Sequence, residues 1–206
     1  MDVWKLTGLA RYDTLLEKAK EKAPEKVILF APTWQRNIAG VFDAVLGKHA
    51  YSETFKESNY FKITNSFINS PKLINEFKEN GYKLKFVSHP SMKRQDEDYQ
   101  LNEVVSFTSE KYSDLISQSA AMITDFSSVH YDVVFLKKPV FYLDIENDSV
   151  KKYHISKEYD WEIKQPFGDL YSTVDALVDL IEHDKLEMSP KYQVAVDDIF
   201  EAIMDL

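Results

Sequence analysis

The sequence predicts an α/β domain built on a mostly parallel sheet. Short apolar runs end in polar clusters, helical patterns separate several of those runs, and 206 residues with 44% hydrophobic content suffice for one substantial core. The first run, in "EKVILFAPTW", follows a charged lead-in and stops at Pro32, the pattern of a strand buried on both faces. "GYKLKFVSHP" repeats the design, with Gly81 as a helix stop, Lys83 to Ser88 as strand and Pro90 as its close. "EVVSF", "AAMIT" and "PVFYL" complete five strand candidates. Ser70 to Asn80 carries Leu73, Ile74 and Phe77 at helical spacing, "YSDLISQS" is a short amphipathic turn or two, and Ser127 to Lys137 follows the fourth strand. The tail adds "TVDALVDLIEH" and a last helix from about Lys191. Residues 35–64 and 145–169 are aromatic or charged and irregular, and are expected to be surface excursions or lids. The fold class is therefore α/β, a Rossmann-like, doubly wound, mostly parallel sheet in a single domain spanning residues 1–206.

Composition removes several functions. A formal net charge of -9 argues against broad attraction to nucleic acid or anionic lipid, so any anion site must be local. With no cysteine there is no disulfide framework, thiolate nucleophile or thiolate metal site, and a reducing, cytoplasmic setting is expected. No apolar run approaches the roughly 20 residues that cross a bilayer. GxGxxG, GxxxxGK[ST] and GxSxG are all absent, and the first strand ends in "FAPTW" rather than the acids of a phosphoacceptor domain.

In an open parallel sheet, ligands bind beyond the carboxyl ends of the strands. Three polar clusters sit at such ends: Thr33 to Arg36, Ser88 to Pro90 and Thr124 to Ser128. In "AAMITDFSSVHYDVVFLKKPVFYLD", Ser127 or Ser128 is expected to cap the following helix, whose free N–H groups and positive dipole end suit a diphosphate without a glycine-rich loop. Simple helix capping is the plainer alternative. Asp125 beside a phosphate is repulsive, so it is expected to orient the loop through backbone N–H groups. Asp132 is expected to make no more than a dipole interaction. His89, fixed at the rim by Pro90, is the best catalytic candidate, with a structural role as its alternative. His49, His130, His154 and His183 lack that placement, and no metal cage is expected. Arg36 has a planar fork suited to phosphate, Trp34 either stacks on a base or seals the sheet, and "KRQDED" is expected to be a solvated loop.

Together, "TGLARYD", "ILFAPTW", "KFVSHP" and "ITDFSSVHYDVVFLKKPVFYL", in this order, resemble the C-terminal half of the CDP-glycerol glycerophosphotransferase family of teichoic-acid and capsule polymerases and primases. The likeness runs from about Leu6 to Leu143. It implies the C-terminal domain of a GT-B-like enzyme that binds CDP-glycerol or a related CDP-alcohol. The resemblance implies that a polymer or lipid-linked acceptor hydroxyl attacks the β-phosphorus and that CMP leaves. It implies that His89 stabilises the phosphates and that Thr33, Asp125, Ser127 and Ser128 lie at the donor. Arg36 follows an intervening Gln35, and Arg11 follows Ala10 where the family often has proline; both remain candidate donor contacts. The family's amino-terminal histidine-glycine motif does not occur, so the chain is expected to be the C-terminal fragment of a longer two-domain enzyme, inactive alone, with the acceptor bound through the other domain. No cofactor and no nucleic-acid partner are expected, and the full enzyme is expected at the cytoplasmic face of the membrane. The alternatives are a GT-B glycosyltransferase using a nucleotide sugar and a non-catalytic interaction domain; the transferred alcohol is left open.

Overall fold

A computed structural model describes residues 9–21, 23–45, 47–125, 127–145, 167–182, 186–194 and 196–197. The chain forms α1 (Ala10–Glu21), β1 (Val27–Phe30), a small ribbon of β2 (Phe42–Asp43) and β3 (Lys48–His49), α2 (Asn59–Ile68), α3 (Pro71–Asn80) and β4 (Lys83–Phe86). It continues with β5 (Val105–Phe107), α4 (Tyr112–Gln118), β6 (Ala121–Thr124), α5 (His130–Phe135), β7 (Val140–Leu143), β8 (Leu170–Tyr171) and α6 (Val174–Glu182). All five strands expected from the sequence are present. Residues 190–194 and 196–197 are helical, close to the expected last helix.

β1 shows why these runs are strands. Side chains alternate across a sheet, and here both faces are covered. Ile28 and Phe30 enter one core with Phe67, Leu73, Phe77, Leu177 and Val178, while Leu29 and Ala31 enter the other with Leu15, Leu115, Ile116, Val133 and Val134. Helices α2, α3 and α6 therefore cover one face and α1, α4 and α5 the other. Each fully buried large apolar side chain contributes about 1.5–3 kcal/mol.

The main sheet has the order β5-β4-β1-β6-β7-β8, with every neighbouring pair parallel. From β1 the chain winds outward through β4 and β5, returns to the other side at β6, and winds outward again. The reversal falls between β1 and β6, where Ile28 pairs with Ala121 and Phe30 with Ile123. Helices leave neighbouring strand ends there in opposite directions, which opens a crevice at their carboxyl ends.

Local chemistry sets the flanking helices. α3 begins where the Ser70 hydroxyl accepts the Leu73 N–H and Pro71 occupies the first turn, and it ends at Gly81, whose φ of 73° is left-handed. α2 begins in the stretch 35–64 that the sequence left without an element. Its Tyr60, Thr64, Phe67 and Ile68 are buried at helical spacing, and Ser58 caps it by accepting the Phe61 N–H. Aromatic and β-branched residues, weak helix formers, hide that pattern, and packing overrides them.

The "KRQDED" run is not a loop. It belongs to a 3-10 helix, Pro90–Asp98, held down by buried Met92 and Gln95, with Lys93 and Arg94 exposed between them. Most of the irregular stretch 145–169 lies outside the described residues. At its far end Gly168 crosses so near β7 that an added Cβ would lie 1.9 Å from the Val140 carbonyl oxygen, so only glycine fits. Among the described residues, no helix is long and apolar enough to cross a membrane.

Candidate functional site

The crevice brings together the polar clusters that follow β1 and β6. Both the backbone N–H and the hydroxyl of Thr33 donate to Oδ1 of Asp125, each at 2.7 Å, and Asp125 is fully buried. A second tie lies beneath: the Thr124 hydroxyl donates to the Ala31 carbonyl at 2.7 Å, and the Ser127 N–H donates to the Thr124 hydroxyl at 3.3 Å. Asp125 thus ties the two loops together, one of its bonds being to a backbone N–H, as expected of it. With both its N–H and its hydroxyl proton committed to Asp125, Thr33 keeps only oxygen lone pairs as hydrogen-bond acceptors.

Ser127 and Ser128 hold the next loop in a way the sequence did not anticipate. The residue ahead of α5 is Val129, which makes no side-chain cap, while the Ser127 and Ser128 carbonyls accept the N–H groups of His130 and Tyr131. The capping expectation is corrected: the backbone makes the turn. Neither hydroxyl has a hydrogen-bond partner among the described residues. Ser127 is half-buried and Ser128 exposed, so both are available to donate.

His89 follows β4, on the other side of β1 from this pair. Its Nδ1 accepts the Ser91 N–H at 3.1 Å, which assigns the ring proton of the neutral imidazole to Nε2, a hydrogen-bond donor suited to a phosphate oxygen. The ring stacks on Trp34, with centroids 5.2 Å apart and planes at 13°, and Trp34 meets His49 from another side at 5.8 Å. Trp34 stacks on the His89 ring and packs, partly buried, against the core. Adjacent strands lie about 4.8 Å apart, so the ends of β4 and β6, on either side of β1, are separated by roughly 10 Å.

The two arginines occupy different positions. Arg11, at the start of α1, pairs with Asp132 at 2.9 Å, so Asp132 does more than favour a helix dipole. Burial raises the Asp132 carboxyl above its ordinary range, and Arg11 opposes that rise. Tyr12 stacks on Phe135 at 4.0 Å, and together these contacts dock α1 on α5 behind the Ser127–Ser128 turn. Arg36 is exposed in the turn beyond Trp34, whereas Gln35 between them is buried and neither its amide nitrogen nor its oxygen is hydrogen-bonded.

His49, set aside in the sequence, lies near the rim. Its Nδ1 donates to the Gly40 carbonyl at 2.7 Å, and it lines a cavity of about 420 Å³ with Phe42, Lys48, Ser91, Lys93 and Arg94. A different cavity of about 410 Å³ lies at the start of β7, toward the opposite end of the sheet, and includes Asp169 and Glu187, carboxylates that repel phosphate.

Strand order, switch point and hydroxyl-lined rim define a Rossmann-type ligand-binding domain. The chain belongs to the CDP-glycerol:poly(glycerophosphate) glycerophosphotransferase family, whose model matches residues 3–202. It is 36% identical over 200 residues to the minor teichoic acid biosynthesis protein GgaB of Bacillus subtilis (strain 168), covering 95% of this chain and 21% of GgaB. The wall teichoic acid polymerase TagF matches with a TM-score of 0.63 and 21% identity, over 96% of this chain and 47% of the TagF chain. A TagF variant soaked with CDPG matches at a TM-score of 0.53 and 23% identity, over 94% and 44%. The chain thus spans less than half the length of these relatives, and the structural likeness carries the fold.

Proposed function

We propose that this chain is the nucleotide-donor domain of a glycerophosphotransferase, binding CDP-glycerol or a related CDP-alcohol at the β1/β6 switch point. The observation that carries this reading is the Thr33–Asp125 link, which fixes the crevice, with the Ser127 and Ser128 hydroxyls beside it lacking hydrogen-bond partners among the described residues. A diphosphate laid across the rim takes hydroxyl hydrogen bonds at the β6 end and the Nε2–H of His89 at the β4 end. An acceptor hydroxyl then attacks the β-phosphorus. Its oxygen forms the new phosphodiester bond, the bridging P–O bond breaks and CMP leaves with the electron pair. His89 stabilises the charge that develops on the phosphates, and a base on a further domain takes the acceptor proton. With a polymer or lipid-linked acceptor, the reaction runs at the cytoplasmic face of the membrane.

Calorimetric titration with CDP-glycerol, CDP-ribitol, CMP, UDP-glucose and GDP-mannose tests this reading. Cytidine ligands are expected to bind selectively, and Ser127→Ala/Ser128→Ala is expected to weaken them by about tenfold or more, the equivalent of one lost hydrogen bond to a charged group. Selective binding of UDP or GDP ligands reassigns the domain to sugar transfer, and a folded sample that binds no nucleotide removes the donor site.

A further inference from the structure

The cavity beside His89 is built from segments far apart in sequence: Phe42, Lys48 and His49 from the ribbon, and Ser91, Lys93 and Arg94 from the 3-10 helix. Among the described residues no carboxylate lines it, in a chain with 34 acidic and 25 basic residues. Nearby acids are engaged: Asp96 pairs with Lys93 at 3.0 Å, and Asp43, opposite Lys48 in the ribbon, accepts the Val45 N–H at 2.8 Å. Lys93 also lies over the Phe107 ring at 5.6 Å, so part of its charge is taken up by the protein. Lys48 and Arg94 have neither an ion pair nor a side-chain hydrogen bond among the described residues, and both are exposed and line the cavity. Two cations held near each other on an acidic protein are mutually repulsive until an anion joins them.

We propose that this cavity is a phosphodiester subsite, separate from the donor crevice, that holds a backbone phosphate of the polymer acceptor. The choice of acceptor rests on the function proposed above; the choice of a phosphate anion rests on the cavity itself. About 420 Å³ falls in the range of small-ligand pockets and exceeds what one phosphate fills, so a phosphate with its flanking glycerol units fits. Phe42 and Pro90 give the carbon chain an apolar wall, the Arg94 fork and Lys48 ammonium take the anionic oxygens, and Ser91 offers a hydroxyl. The cavity and the candidate catalytic residue are mechanically joined. His49 on the cavity wall touches Trp34, Trp34 stacks on His89, and the Ser91 N–H binds His89 Nδ1. A phosphate seated here places the end of an acceptor chain beside His89, on the side of β1 away from Ser127 and Ser128.

The test titrates the chain with a soluble glycerol-phosphate oligomer, with inorganic phosphate and, separately, with CDP-glycerol, in wild type, Lys48→Gln/Arg94→Gln and the charge-conserving Lys48→Arg/Arg94→Lys. Both positions are exposed, and circular dichroism checks that each variant is folded. The oligomer is expected to bind more tightly than inorganic phosphate and to weaken as salt rises. It should lose about tenfold or more affinity in the glutamine variant and recover in the charge-conserving one, while CDP-glycerol is unaffected. If the oligomer behaves this way and CDP-glycerol fails to bind, the subsite stands and the donor assignment falls. Three results overturn the subsite: no oligomer binding, oligomer affinity unchanged in the glutamine variant, or equal weakening of CDP-glycerol, which makes the cavity part of the donor site.

Discussion

Asp125 is a carboxylate at the mouth of a ligand crevice whose partner is another strand's exit. Two donors of Thr33 converge on one of its oxygens, one of them a backbone N–H that has no other place to go. Hydrogen bonds to a charged group contribute about 1.5–3 kcal/mol each, so Asp125→Ala is expected to lower stability in urea by about 3 kcal/mol, and Thr33→Val, which keeps the N–H bond, by about half as much. Urea melts at neutral pH check both; an alanine variant as stable as wild type removes the structural role. This role was legible in the sequence, because an acid at an anticipated phosphate site was expected to bind backbone N–H groups instead. The Thr33 hydroxyl was not, since its partner lies in a distant segment that only the sheet order brings near. The capping role given to Ser127 and Ser128 failed for a related reason: spacing locates a helix start to within a residue or two, and a tight turn here lets carbonyls do what hydroxyls were expected to do.

At the scale of elements, the strand order places one lysine where it locks two layers. Lys138, just before β7, is buried and donates through Nζ to the carbonyls of Ile116, Ser117 and Ser119 at 2.6, 2.8 and 2.7 Å, the open end of α4. Burial pushes its ammonium down to about 8, which still leaves it charged at neutral pH. Lys138→Met keeps the stem and strands three carbonyls, so a loss of about 2–4 kcal/mol is expected; thermal or urea unfolding measures it, and a loss below 0.5 kcal/mol contradicts the arrangement. The doubly buried strands were readable because each is a continuous apolar run with a polar stop. The ribbon was not, because two-residue strands that leave Phe42 exposed carry no periodic signal. The 3-10 helix was hidden by its charges, since only Met92 and Gln95 turn inward. The cavity between ribbon and helix was therefore invisible: Lys48 and Arg94 look like solvated surface until the fold joins their segments.

For the molecule as a whole, acid is expected to loosen the helix layer behind the Ser127–Ser128 turn. His130 opens α5 and is buried against Tyr131, Tyr142 and Phe167, with Nδ1 3.3 Å from the Tyr142 hydroxyl. Burial pushes its imidazole from the ordinary 6.5 down to about 4. The sign follows from linkage. Protons bind the unfolded chain first, so stability is intact above about pH 6.5, falls as the pH drops from there toward 4, and is constant with respect to this group below that. Between pH 7.5 and 5 the loss from His130 amounts to about 2 kcal/mol. His130→Gln, which does not titrate, is expected to be less stable at neutral pH because its packing is poorer, yet to lose about 2 kcal/mol less than wild type on going to pH 5. Urea melts of both proteins at the two pH values give that difference directly, and parallel pH profiles would show that this histidine does not couple acid to the loosening of α5. Because α5 follows the Ser127–Ser128 turn and carries Asp132 against Arg11, nucleotide binding to the wild type is expected to weaken over the same pH range.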